Sequence, residues 1–169
     1  MIMTLEEKKL TAYHESGHAI VSIHLKDTDP IHKATIIPRG MALGLVMHLP
    51  ERDQISLTKA QLVARLAVAM GGRIAEEMIF GPSKVTTGAQ SDISMATNDA
   101  KKMVTQWGMS QKLGPIAYGE NEQEIFLGHS VTQKKSVSEK TAQEIDQEVK
   151  RIVTEAQKKA RLILKKNVK

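Results

Sequence analysis

Two histidines four residues apart, His14 and His18, with Glu15 beside the first, limit what this 169-residue chain can fold into more than any other feature. On a helix four residues is just over one turn, so both imidazoles project from one face and can take adjacent corners of a tetrahedral metal. The flanks supply that helix. Leu10, Tyr13, His14, Gly17, His18, Val21 and Leu25 fall on one 3.6-residue stripe, which turns the histidines inward. Two buried imidazoles without a metal need two sets of hydrogen-bond partners, whereas a zinc ion (Zn2+) satisfies one nitrogen of each at once. His14-Glu15-Ser16-Gly17-His18 is also the zinc-hydrolase pattern H-E-x-x-H, in which the glutamate lies off the metal and within reach of a water, where a general base belongs.

Any such zinc must be held by histidine and carboxylate, because the chain has no cysteine. With 41% apolar residues and this length, one domain spanning residues 1–169 is expected. There is no run of 18 apolar residues and no signal-peptide core in Met1 to Lys9, so the piece reads as soluble. The net charge of +5 invites a nucleic-acid reading, but the excess gathers in Lys158, Lys159, Arg161, Lys165, Lys166 and Lys169. With aromatics at only 3% there is little to stack on bases. A solvated helix end explains the cluster, and no nucleic-acid partner is expected.

Thr4 and Glu7 form a capping box that starts the first helix, expected to run to about Lys26 and to be ended by Asp27-Thr28-Asp29-Pro30. His32 to Pro38 and Leu43 to Leu49 read as extended runs joined by an Arg39-Gly40 turn, a small antiparallel sheet. With so few strands one edge should stay open, and Gly44, Leu45, Val46 and Met47 could there accept an extended peptide by main-chain bonds. A loop covering that edge is the equal alternative. Thr58 with Gln61 begins a second helix to about Phe80, stopped by Gly81-Pro82. Its internal Gly71-Gly72 costs stability unless another backbone packs close. Glu76 and Glu77 face the wrong end of the helix dipole, so one of them should have an inward partner such as a histidine ring or a metal.

Residues 85–92 read as a polar loop into a third helix, with Ser91 or Asp92 the ordinary N-cap and Ile93, Ala96, Ala100, Met103, Val104 and Trp107 the buried stripe. From 108 to about 135 periodicity is lost and a long surface loop with mobile parts is expected. A last helix starts near Ser136 or Ser138 and keeps an apolar stripe to Leu164, about 40 Å of helix. The fold class is therefore mainly α, with a small β-sheet and a long C-terminal helix.

A catalytic zinc takes three protein ligands and keeps one position open, so a third ligand must be found. His24 stands where some zinc peptidases place it, but Val21 replaces the glycine that lets such a chain leave the helix, and His24 would lie about 9 Å beyond His18. His32, His48 and His129 are isolated. The candidates left are Glu76, Glu77 and Asp92.

His14 to His18, Gly71-Gly72-Arg73-Ile74-Ala75-Glu76-Glu77, and Thr86-Thr87-Gly88-Ala89-Gln90-Ser91-Asp92 together, in this order and spacing, resemble the peptidase domain of the FtsH family of membrane-anchored AAA+ proteases. The resemblance covers nearly the whole chain. It implies a helical zinc metallopeptidase domain with zinc on His14, His18 and Asp92, Glu15 as catalytic base, and Glu76 supporting the site without touching the metal. It further implies hexameric rings, an ATPase domain in the same parent chain, and ATP-driven delivery of unfolded or misfolded proteins. The parent would be membrane-anchored, on the cytoplasmic face of a bacterial inner membrane or in an organelle. This chain has no G-x-x-x-x-G-K-[ST] phosphate loop and no preceding span, so a peptidase fragment is expected. The rival from another class is a non-catalytic helical oligomerisation module with a closed structural metal site.

Overall fold

The computed structural model describes residues 3–37, 44–49, 55–119 and 137–168. Helix α1 spans Leu5–Ile23, strands β1 and β2 span Ile31–Thr35 and Leu45–His48, α2 spans Lys59–Phe80, α3 Gln90–Thr105 and α4 Glu139–Asn167. Between α2 and α3 lie two short 3-10 turns, Pro82–Lys84 and Thr87–Ala89. Mainly helical architecture with a small two-stranded sheet is what the periodicity predicts.

Both predicted capping boxes form: Thr4 and Glu7 exchange bonds at the start of α1, and Thr58 and Gln61 do so at the start of α2. Each satisfies backbone N–H groups that a first helical turn leaves without partners. α2 ends as expected at Gly81, whose φ of +92° suits glycine, followed by Pro82. Ser138 caps α4 by accepting from the Thr141 N–H, and Ser136 lies outside the described residues.

α2 is the central helix. Leu62, Leu66 and Ile74 are fully enclosed, and alanines at 64, 67, 69 and 75 let α1, α3 and α4 approach from different sides. α1 comes closest. A Cβ on Gly17 would collide with the Gly71 carbonyl, and one on Gly71 would lie 2.6 Å from the Gly17 carbonyl oxygen, so the two backbones touch. This is the close packing that an in-helix glycine pair requires. α4 buries Ile145, Ile152, Ala156, Ala160 and Leu164 against α2, α3 and α1, so its long stripe has intramolecular partners.

Three local expectations are corrected. α1 stops at Ile23 rather than Lys26: His24 caps it, and the Thr28 hydroxyl lies within reach of the carbonyls of Ser22 (2.9 Å) and Leu25 (3.1 Å), with one proton to give to either. Neither Ser91 nor Asp92 caps α3, since the Thr87–Ala89 turn runs straight into it, with Thr86 capping that turn instead. The stripe of α3 runs through Ala96, Ala100 and Met103, leaving Ile93 39% and Trp107 45% exposed. Trp107 leaves the stripe because the helix ends at Thr105 and the chain turns at Gly108, whose φ is +60°. Residues 108–119 form the expected surface loop but are anchored: Tyr118 N–H donates to the Thr105 carbonyl (2.8 Å), Leu113 is buried, and Ser110 donates to Glu148 of α4 (2.7 Å), while 120–135 lie outside the described residues.

β1 and β2 pair antiparallel, with Thr35 opposite Leu45, Ala34 opposite Val46 and Ile31 opposite His48, and an irregularity between Ile31 and Lys33. Among the described residues β2 has a strand neighbour on one side only. The predicted Arg39-Gly40 turn and Leu43 lie outside the described residues.

Candidate metal centre

The contact between Gly17 and Gly71 places the inner face of α1 directly over the second half of α2. His14 and His18 are each 8% exposed, and each ring is held from behind. His14 Nδ1 lies 2.7 Å from Oε1 of Glu76, and His18 Nδ1 lies 2.8 Å from the carbonyl oxygen of Val68. A carbonyl or a carboxylate can only accept, so both Nδ1 atoms carry the proton and both Nε2 lone pairs point forward.

Those lone pairs meet. The two Nε2 atoms are 3.0 Å apart, and Oδ2 of Asp92 lies 3.3 Å from that of His14 and 3.5 Å from that of His18. Tetrahedral zinc with bonds of about 2.0–2.1 Å has ligand atoms about 3.4 Å apart, so the triangle fits one face of such an ion. Among the described residues these three are the only group of donor side chains that converge closely enough to hold a metal ion. The clearance behind the triangle comes from Gly72, where a Cβ would stand 2.5 Å from Nε2 of His14 and 2.7 Å from that of His18.

The charges are mutually dependent. Burial opposes ionisation of Asp92, but the two imidazoles in their protonated form, donating from Nε2 and carrying positive charge, outweigh it and bring its carboxyl to about 2. Burial likewise opposes protonation of His14, and the Asp92 and Glu76 carboxylates override it, leaving the imidazole pKa raised. The pocket is thus electrostatically suited to a cation.

Glu15 is not one of the three converging donors; it is half-buried beside them, with burial raising its carboxyl pKa. Its Oε1 lies under the head of β2, where a Cβ on Gly44 would come within 2.5 Å of it. A cleft of about 980 Å³ opens over these residues, bounded by α1, β2, α2 and α3, with Glu15, Asp92, Val46, Gln61, Val68 and Met95 among its walls. Gly44, Leu45 and Val46 line it, and Met47 is not among its walls.

Of the other candidates, none joins the triangle. His24 is exposed and bonds back to the Ile20 carbonyl (2.8 Å), His48 pairs with the Asp29 carbonyl (3.0 Å) at the far end of the cleft, and His32 is exposed. His129 lies outside the described residues. Glu77 bonds Arg161 of α4 (2.9 Å), so of the two carboxylates Glu76 alone has a histidine partner. Sequence reasoning missed the Val68 carbonyl, which no side chain announces, and Thr86, whose backbone N–H (2.8 Å) and hydroxyl (3.1 and 3.2 Å) reach Glu76. The role of Gly72 had a signal in the costly glycine pair.

The whole chain, residues 1–169, matches peptidase family M41. It belongs to that family. Among its M41 relatives is the ATP-dependent zinc metalloprotease FtsH of Caulobacter vibrioides, 58% identical over 164 residues, which are 97% of this chain and 26% of the relative. Proteins of the same name from Haemophilus influenzae and Rickettsia bellii are 52% and 53% identical over 168 residues, covering 99% of this chain and 26% of each. The chain therefore spans about a quarter of the length of these relatives. Among the described residues no helix is long and apolar enough to cross a membrane.

Proposed function

We propose that this chain is the zinc-dependent peptidase portion of a longer ATP-dependent protease, hydrolysing peptide bonds of unfolded polypeptide. One observation carries the reading: three donor atoms form a tetrahedral face inside an open cleft, with both imidazole tautomers held from behind. His14, His18 and Asp92 hold the ion. Zinc, when bound, supplies Lewis-acid polarisation of the scissile carbonyl and makes water a stronger acid.

The chain's own residues do the rest. Glu15 accepts the proton of the attacking water on its carboxylate and passes it to the nitrogen of the leaving amine. Glu76 and the Val68 carbonyl keep Nδ1–H on each histidine, so neither ring turns its lone pair away from the ion. The cleft side of β2, at Gly44 to Val46, receives the substrate as an added strand, a mode of main-chain bonding that does not read the substrate's sequence. Met47 would contribute its backbone only.

The name ATP-dependent carried by the relatives, together with the resemblance, supports delivery of substrate by an ATPase domain of the same parent chain. In this reading that parent is membrane-anchored and assembles as a hexamer for protein quality control. A closed structural metal site, the rival, is disfavoured because all three donors line an open cleft.

The deciding experiment measures zinc content and casein cleavage for the wild-type chain and Glu15→Gln. The wild type should carry about one zinc and cleave unfolded casein. Glu15→Gln should keep the zinc and lose hydrolysis by roughly 100-fold or more, the scale of losing a general base. Undiminished cleavage by Glu15→Gln would falsify the mechanism.

A further inference from the structure

Glu76 is fully buried, a costly place for a carboxylate without donors on every side. One donor is His14. The others come from a single residue, Thr86, which lies before the turn leading to Asp92. Its backbone N–H donates to Oε2 (2.8 Å), and its hydroxyl is within 3.2 Å of Oε1 and 3.1 Å of Oε2. A hydroxyl has one proton to give, so it bonds one carboxylate oxygen while its own oxygen accepts the Gly88 N–H at 3.2 Å. The rotor is thereby set: Gly88 N–H fills a lone pair, and the proton is left facing Glu76.

We propose that Thr86 is a positioning residue for His14, acting through Glu76. With two donors on one flank, the carboxylate cannot swing, and Oε1 stays 2.7 Å from Nδ1 of His14. That bond keeps the proton on Nδ1 and the lone pair of Nε2 aimed at Asp92 and His18. The arrangement also explains why Asp92 and the His14 ring arrive together. Residues 86–92 carry both the grip on Glu76 and the aspartate, with Thr86 capping the 3-10 turn that continues into α3. One short segment sets the angle of an imidazole on α1 and the position of a carboxylate on α3.

The inference rests on the zinc reading for its affinity arm, and its second arm does not need the metal. The experiment uses the full 169-residue chain with Thr86→Val, Thr86→Ala and Thr86→Ser. Zinc affinity is read by chelator competition, and the His14 tautomer by nitrogen-15 NMR of the metal-free chain at a pH where the imidazole is neutral. Valine and alanine should each weaken zinc by roughly tenfold, the lower end of the range for groups behind a ligand. In both, the His14 resonances should move from a single Nδ1–H form to a mixture of tautomers. Serine should restore both readouts, because the hydroxyl is what matters.

The proposal is overturned if valine and alanine bind zinc as tightly as the wild type. It is equally overturned if serine loses as much as valine, which would trace the effect to the methyl group's packing, or if affinity falls while the tautomer stays single. A wild-type chain that takes up no zinc would instead sink the proposed function, and the tautomer arm would still decide whether Thr86 orients His14. Should valine not fold, alanine decides by the same criteria.

Discussion

A single methyl group tests whether Gly72 serves the candidate site or merely the helix. Alanine is a better helix former than glycine by about 1 kcal/mol, so Gly72→Ala should not weaken α2 itself. Its Cβ would nevertheless stand 2.5 Å from Nε2 of His14. The expected outcome is an unchanged helical circular-dichroism spectrum with zinc affinity reduced by more than roughly 100-fold, beyond the range for groups behind the ligands. The two carboxylates separate by the same measure. Asp92→Ala, which removes a donor from the triangle, should all but abolish zinc uptake, whereas Glu76→Ala should stay within about 10- to 100-fold. Normal metal in Asp92→Ala with none in Glu76→Ala would reverse the assignment. At this scale the histidine pair and its glutamate were legible because helical spacing alone dictates which way they point. Asp92 was not, from its position: a carboxylate in the first turn of a helix looks the same whether it caps its own backbone or turns to a partner elsewhere. Val68 contributes a carbonyl, which every residue has, so nothing in its side chain could signal it.

Along β2 the backbone alternates, so successive N–H groups face β1 and the open side in turn. If substrate adds to the open side, prolines placed singly at Leu45 and Val46 should behave differently. One removes a bond to β1 and loosens the sheet, while the other removes a donor to substrate and lowers casein cleavage with zinc content intact. Equal loss of cleavage and zinc from both would mean simple unfolding of the sheet and remove the case for a substrate strand there. Helices were the readable elements. Thr4 with Glu7 and Thr58 with Gln61 mark their starts through local bonds that need no tertiary context. Ends were less so: α1 stops three residues before Lys26, where the Thr28 hydroxyl, after a short turn, reaches the carbonyl of Ser22 or of Leu25. The anchoring of residues 108–119 was hidden for a related reason, since it comes from bonds to Thr105 and Glu148 that lie far off in sequence or across a turn.

Across the whole molecule, the strap 108–119 is fastened to α4 by Glu148, which is 6% exposed and accepts from Ser110 (2.7 Å) and from Arg151 (2.7 and 3.1 Å). Arg151 above all, with Ser110, holds the Glu148 carboxyl near 2, against 4.5 for the group in a model compound. A lowered native value means that the contribution is complete above about 4.5 and disappears as pH falls toward about 2. Glu148→Gln should therefore cost about 1–2 kcal/mol at pH 7, toward the low side because Arg151 is half-exposed. Urea unfolding across pH should show the gap to wild type closing on the acid side, and a gap independent of pH would rule out the charged bond as its source. The candidate metal centre is distributed over the molecule in another sense. Its two rings belong to α1, their rear supports to α2, and its aspartate to α3, so no separated pair of helices can rebuild it. A metal bound there recognises only the assembled native state, and by mass action each tenfold rise in free zinc above its dissociation constant adds about 1.4 kcal/mol to stability. The ion would be a structural ligand as well as a reagent. Chelation should then lower the melting temperature as well as halt hydrolysis, and heat should release the metal in the same cooperative step that separates the helices.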